Sequence, residues 1–272
     1  MTNGRVEMPS GNAFLDTTIL VDATLKDQDR RDAVRVGLAR FENSILPTYA
    51  MKEFRAGPLD TYVWFLNLLK RTGTLARAVE RAALESAYRQ NRLRTSVELQ
   101  SRLLIECFPK GESPEESGDR MWRLLRKIIA MAWKSRLTLA TRRTAQLRCF
   151  SESAPGTGED GLMVLDPPSC RKGHSCELAE HLRTRPNDIS ILLAIVAKAP
   201  NKAENKRRAK SLNRLLDVDA DFFDSHCRSL GDAVFALTAP PDAIVLTTNI
   251  HDRKPLAEAL GKRAETLTPP TP

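Results

Sequence analysis

The stretch Asn12-Ala-Phe-Leu-Asp-Thr-Thr-Ile-Leu-Val21 decides the fold class. It combines an apolar run, β-branched residues and one carboxylate, Asp16, which is a pattern that predicts a short buried strand. Residues 29–41 then carry apolar side chains at a mostly helical spacing, and Asn43-Ser-Ile-Leu-Pro47 predicts a second strand. A strand, a helix and another strand in this order are typical of the start of a parallel sheet. The sequence therefore predicts an α/β fold.

The carboxyl-terminal part repeats this alternation. Gly231-Asp-Ala-Val-Phe-Ala-Leu237 predicts a helix, Ala243-Ile-Val-Leu-Thr-Thr-Asn249 predicts a strand, and a further helix is expected through Leu260. We therefore assign 11–57 and 185–265 to one discontinuous domain, a parallel sheet flanked by helices. Residues 266–272 contain three prolines and are expected to form a flexible tail.

The range between these segments, 58–184, is predicted to be a mainly helical insertion that ends in a connection rich in glycine and proline. It also carries the basic charge. The chain has 42 Lys and Arg against 34 Asp and Glu, a net +8; residues 70–150 hold 18 against 8, which leaves 24 against 26 for the rest. Such an excess favours an anionic partner. A solvated helical face and a protein interface, with Tyr62, Trp64 and Trp122 as anchors, stay open as alternatives.

The chain lacks an apolar run long enough to span a membrane and lacks the layout of a signal peptide at its start, so a cytoplasmic location without a membrane partner is expected. Its five cysteines are an odd number with scattered positions, which favours reduced thiols over a disulfide framework.

Four acids fall at predicted junctions between strands and helices: Asp16, Glu53, Asp232 and Asp252. Because the carboxyl ends of parallel strands open onto one crevice, acids at these ends are expected to converge. Carboxylates brought together repel one another unless hard cations neutralise them, and oxygen-rich sites suit Mg²⁺ or Mn²⁺. Each acid alone could instead cap a helix or interact with its dipole. Their shared context favours a metal site.

These residues resemble the PIN domain nucleases. The similarity lies in Leu15-Asp-Thr-Thr-Ile-Leu-Val21, in Pro47-Thr-Tyr-Ala-Met-Lys-Glu53 and, most specifically, in the Asp-led helix at Gly231-Asp232 followed by Thr247-Thr-Asn-Ile-His-Asp252. The range 58–184 has no counterpart in the family.

The resemblance implies that Asp16, Glu53 and Asp232 are catalytic, metal-binding carboxylates, with Asp252 or Asn249 in the fourth position, and that Thr18 and Thr247 line the site. Similar proteins are mostly Mg²⁺- or Mn²⁺-dependent ribonucleases, including bacterial toxins that a small antitoxin neutralises.

Two other groups of residues are candidates for chemistry. Cys170, His174, Cys176 and His181 offer four zinc ligands, but not at the spacing of a zinc finger; a loop that enters a helix is the alternative. His226 and Cys227 are adjacent and point about 100° apart on a helix, so a packed Cys227 is favoured over a catalytic pair.

The sequence thus predicts a PIN-like metal-dependent nuclease that hydrolyses phosphodiester bonds, RNA more than DNA, through a metal-activated water. The alternative is a non-catalytic module that binds nucleic acid or protein. The choice between endo and exo cleavage, a protein inhibitor and a homodimer remain open.

Overall fold

A computed structural model describes residues 11–85, 90–107, 118–136, 138–144, 152–166, 176–198 and 203–267. The strands in this part of the chain are β1 (Asn12–Leu15), β2 (Asn43–Pro47), β3 (Arg142–Thr144), β4 (Gly156–Thr157), β5 (Met163–Val164), β6 (Ala243–Leu246) and β7 (Arg263–Glu265).

The helices are α1 (Thr17–Thr24), α2 (Gln28–Leu38), α3 (Thr48–Phe54), α4 (Asp60–Thr72), α5 (Leu75–Glu85), α6 (Gln90–Cys107), α7 (Gly118–Ser135), α8 (Glu177–Arg183), α9 (Pro186–Ala197), α10 (Ala203–Leu216), α11 (Asp224–Leu230), α12 (Asp232–Thr238) and α13 (Ile250–Ala259). A π-helical turn, Arg55–Leu59, joins α3 to α4.

Five strands form one parallel sheet in the order β3-β2-β1-β6-β7. Phe14 in the central strand β1 pairs with Ile45 on one side and Val245 on the other. The two neighbours of β1 therefore come from opposite ends of the chain. The α/β class, with a parallel sheet flanked by helices, is confirmed.

The first strand is shorter than the sequence pattern predicts. β1 ends at Leu15, and α1 begins at Thr17. Asp16 lies at the junction: its N–H donates to Leu246 O at 3.0 Å, which extends the sheet, while its carbonyl accepts from Ile19 N at 3.1 Å. Ile19 and Leu20 are fully buried as helical residues, so packing against the sheet overrides their β-propensity. Asp16 is thereby placed at the carboxyl edge of the sheet.

The range 58–184 is packed against the sheet and also contributes to it. β3 pairs with β2 at Ile45 and Arg142, which makes a short segment of this range an edge strand. One face of α4 is apolar and buried, with Phe65, Leu66 and Leu69 in the same core as β1. β4 and β5 form a separate antiparallel pair that the sequence did not predict.

A glycine sets the start of the helix that carries Asp232. Gly231 has φ +46°, a conformation that side chains other than glycine rarely adopt, and it separates α11 from α12. α12 therefore begins at Asp232, as the sequence predicts. Leu267 is buried, and 268–272 lie outside the described residues. None of the helices in the described part of the chain has the length and hydropathy of a membrane span.

Candidate carboxylate site

Asp16 is fully buried, and both of its carboxylate oxygens have partners. Oδ1 accepts a hydrogen bond from Arg253 Nη2 at 2.7 Å, and Oδ2 accepts one from Arg253 Nε at 3.0 Å. Thr247 and Thr18 donate their hydroxyls to Oδ2 at 2.6 and 3.1 Å. The side chain makes no capping bond to α1, although Asp16 precedes that helix. The carboxylate therefore accepts hydrogen bonds from Arg253, Thr247 and Thr18 and does not cap α1.

Asp232 lies on the other side of the same arginine. Its Oδ1 is 2.8 Å from Arg253 Nη1, an ion-pair distance without hydrogen-bond alignment, and its Oδ2 accepts from Arg208 Nη2 at 3.1 Å. Burial raises the pKa of Asp232, and the charges of Arg253 and Arg208 oppose that rise. Asp232 is thus an acid shared between two buried guanidinium groups.

Glu53 completes the group from the last turn of α3. Its Oε2 accepts a hydrogen bond from Thr17 Oγ1 at 2.7 Å. Burial raises the pKa of Glu53; Thr17, Arg253 and Tyr49 act against the rise, and the charge of Asp16 adds to it. These interactions place Glu53 within electrostatic reach of Asp16 and Arg253. We call Asp16, Glu53 and Asp232, together with Arg253 and Arg208, the carboxylate cluster.

Arg253 is the residue that sequence reasoning missed. It is 6% exposed in the first turn of α13, and its Cζ lies 4.2 Å from the centroid of the Phe235 ring. A weak signal was present in the sequence. Asn249 lies just before α13, and Arg253, four residues later, lies on the same side of that helix. Arg208 on α10 had no such signal, because it is distant in sequence from every acid except Glu204.

The carboxylate of Asp252 contacts Asn249. Its Oδ2 accepts from Asn249 Nδ2 at 2.9 Å, and no hydrogen bond or ion pair within the described residues joins it to Asp16, Glu53 or Asp232. Asn249 N donates to Thr247 Oγ1 at 3.0 Å, which supports the hydroxyl that contacts Asp16. The predicted site-lining threonines do face each other, with 3.4 Å between Thr18 Oγ1 and Thr247 Oγ1.

The donor set suits a hard divalent cation by its chemistry, since it offers carboxylate and hydroxyl oxygens. A cation, the guanidinium of Arg253, already lies between two of the three carboxylates. Within the described ranges, no group of three His, Cys, Asp or Glu side chains is arranged so that it could hold a metal ion. The arginines therefore offset part of the negative charge of the cluster.

A cavity of about 320 Å³ adjoins Glu53. Its wall includes Tyr49, Lys52, Arg55, Cys227 and Arg228. Lys52 Nζ lies 3.3 Å from Cys227 Sγ, and Tyr49 Oη donates to Cys227 O at 3.1 Å. The buried packing of Cys227 is confirmed. Glu53 therefore lies in the wall of a cavity that Asp16 does not line.

The other candidates for chemistry show ordinary structural roles where they are described. His226 Nδ1 accepts from Phe223 N at 3.1 Å at the start of α11, and burial, followed by the charges of Arg214 and Lys210, lowers its pKa. Cys176 precedes α8, and His181 lies within it. Cys170 and His174, the remaining predicted zinc ligands, lie outside the described residues.

Comparison with known proteins identifies no relative: neither a family model, nor a curated protein, nor a solved structure matches the chain.

Proposed function

We propose that this chain is a PIN-like, metal-dependent nuclease that hydrolyses phosphodiester bonds, with RNA as the preferred substrate. One observation carries the proposal: Asp16 and Asp232, which are widely separated in sequence, contact one buried guanidinium at the carboxyl edge of a parallel sheet, and the charges of Asp16 and Arg253 both act on the nearby Glu53. In open α/β sheets this edge is where ligands bind. The all-parallel strand order β3-β2-β1-β6-β7, with β1 in the centre, is compatible with a PIN-like fold.

The residues that would hold Mg²⁺ or Mn²⁺ are Asp16, Glu53 and Asp232. A divalent ion held there would supply a bound water of lowered pKa and positive charge against the phosphoryl oxygens. The chain's own contribution is orientation. Thr18 and Thr247 fix the Asp16 carboxylate.

The remaining two acids are positioned in the same way. Arg208, held by Leu230 O at 3.2 Å, fixes Asp232, and Thr17 fixes Glu53. Asp252 would contribute through Asn249, because its carboxylate accepts a hydrogen bond from that side chain.

The nucleic acid would be held by what we call the basic face of α7: Arg120, Arg123, Arg126, Lys127 and Lys134, all exposed. Positions 120, 123, 127 and 134 follow helical spacing and share one side of the helix. The opposite side, with Met121, Leu125 and Ile129, is buried in the core. Cations on one exposed ridge are suited to phosphate contacts, which position a nucleic acid without reading its sequence.

Cleavage of labelled single-stranded RNA in Mg²⁺ or Mn²⁺ tests the proposal. Asp16→Asn and Asp232→Asn are each expected to lower the cleavage rate at least about 100-fold, since each removes a carboxylate from the site. Glu258→Gln, on the exposed side of α13, is the matched control and is expected to retain the wild-type rate. Cleavage that survives both Asn substitutions would come from a contaminant and would refute the proposal.

A second candidate, a non-catalytic binding module, is favoured by one feature: two guanidinium groups already offset part of the negative charge of the acids, and each acid in contact with them has a cationic partner without a metal. This candidate predicts RNA binding that is equal in EDTA and in Mn²⁺, without cleavage. A protein inhibitor and a homodimer are further proposals, to be tested by co-purification and by light scattering.

A further inference from the structure

Arg253 occupies the position between Asp16 and Asp232 with all three of its guanidinium nitrogens. Nε and Nη2 lie 3.0 and 2.7 Å from the two oxygens of Asp16, and Nη1 lies 2.8 Å from Asp232 Oδ1. A divalent ion bound to these oxygens would need to approach them to about 2.0–2.6 Å. The ion and the guanidinium therefore exclude each other from this position.

We propose that Arg253 is an internal cation that closes the carboxylate cluster and that divalent metal binding requires its side chain to leave. The inference rests on the proposed function, because it concerns how the same site would take up its metal. It makes Arg253 a competitor: the apparent dissociation constant for metal is the intrinsic value divided by the fraction of molecules in which Arg253 has moved away.

Charge favours the exchange once metal is present. Asp16, Asp232 and Glu53 carry up to three negative charges, and Arg208, the other cation in contact, is shared with Glu204 at 2.6 Å. Arg253 supplies one positive charge, whereas a divalent ion supplies two.

The contacts of Arg253 also indicate an imperfect fit. Its Nη1 is buried against Asp232 without hydrogen-bond alignment. Arg253 is held additionally by the Phe235 ring, a stacking contact that does not depend on Asp16 or Asp232. An arginine that served only as a permanent structural pair would keep its contacts with Asp16 and Asp232 when metal is added.

Calorimetric titration of the full chain with Mn²⁺ at neutral pH tests this. Arg253→Gln is expected to bind Mn²⁺ at least about 10-fold more tightly than wild type, and addition of Asp16→Asn to that variant is expected to abolish the gain. Lys254→Gln, the exposed neighbour on the same helix, is the matched control and should bind like wild type. Equal affinity of Arg253→Gln and wild type, or no binding by either, overturns the proposal.

Selective NMR of arginine side chains covers the case in which Arg253→Gln does not fold. The Nε–H signal of Arg253, assigned by its absence in Arg253→Lys, should be protected from solvent exchange in EDTA and lose that protection in saturating Mg²⁺. An Nε–H signal that stays protected at saturating Mg²⁺ overturns the proposal.

Cleavage assays separate this inference from the proposed function. Tighter Mn²⁺ binding by Arg253→Gln without RNA cleavage by any variant supports the role of Arg253 and refutes the nuclease. Metal-dependent cleavage by wild type together with unchanged affinity in Arg253→Gln supports the nuclease and refutes the role of Arg253.

Discussion

The carboxylate cluster and the basic face of α7 differ in whether their charged side chains are buried and paired or exposed to solvent. In the cluster, Asp16 and Asp232 are buried with arginines against them, and their charges face inward. On α7, Arg123, Lys127 and Lys134 are exposed and make no ion pair with another described residue. A buried charge requires a partner to remain buried, whereas an exposed charge is stabilised by water and stays free for a ligand. The first region should govern stability and metal uptake, and the second should govern binding of an anion.

Removal of the buried cation should give the largest effect. Arg253→Met in EDTA is expected to lower the free energy of unfolding by about 3–5 kcal/mol, because it leaves buried carboxylates without their partner. Urea denaturation measures this value. The double variant with Asp16→Leu should lose less than the sum of the two single variants, since both partners are then gone. Additive losses would show that Arg253 and Asp16 do not stabilise each other.

Lys262 is a buried cation of another kind, because its partners are carbonyl groups. Its Nζ donates to Ala236 O at 2.6 Å and to Ala239 O at 2.7 Å, at the end of the helix that begins with Asp232. Lys262→Met is expected to cost about 1–3 kcal/mol, since the carbonyls lose their donor.

The same substitution has a pH signature. Burial lowers the pKa of Lys262 to about 8, from an ordinary value of 10.5. Between these values the unfolded chain binds more protons than the folded one, so the contribution of Lys262 to stability is smallest below about pH 8 and rises up to about pH 10.5. Urea unfolding of wild type and Lys262→Met at pH 7, 8.5 and 10 checks whether the difference between them grows with pH. A difference independent of pH would contradict the lowered pKa.

Changes to the basic face of α7 should have the smallest effect on stability. Arg123→Ala with Lys127→Ala is expected to change the free energy of unfolding by less than about 0.5 kcal/mol, because both side chains are exposed. Affinity for single-stranded RNA should fall, and the slope of its logarithm against log salt should decrease by about 1.4. Fluorescence anisotropy at several salt concentrations measures both. Unchanged RNA affinity would show that α7 is not part of the RNA interface.

Much of the α/β pattern could be predicted from the sequence because it depends on local periodicity. Apolar spacing predicts the strand at Asn43–Pro47 and the helix at Ala203–Leu216. The glycine before Asp232 predicts the helix start there. β3 and β7 could not be predicted in this way, since each has three residues and depends on pairing with a distant strand. The grouping of Asp16 with Glu53 was predictable, because Asp16 follows β1, the helix that carries Glu53 follows β2, and the ends of parallel strands meet. Asp232 follows α11 and not a strand, so its place in the cluster depends on tertiary packing.

The sequence by itself determined that Asp16 follows the first strand, that Asp232 begins a helix, and where the basic residues accumulate, because these are matters of order along the chain. Only the tertiary structure decided what lies between those acids. Arg253 enters the cluster through the turn from β6 into α13, and Arg208 through the packing of α10 against α11 and α12. These contacts join residues that no local pattern relates, and they decide whether the carboxylates face a metal or an arginine.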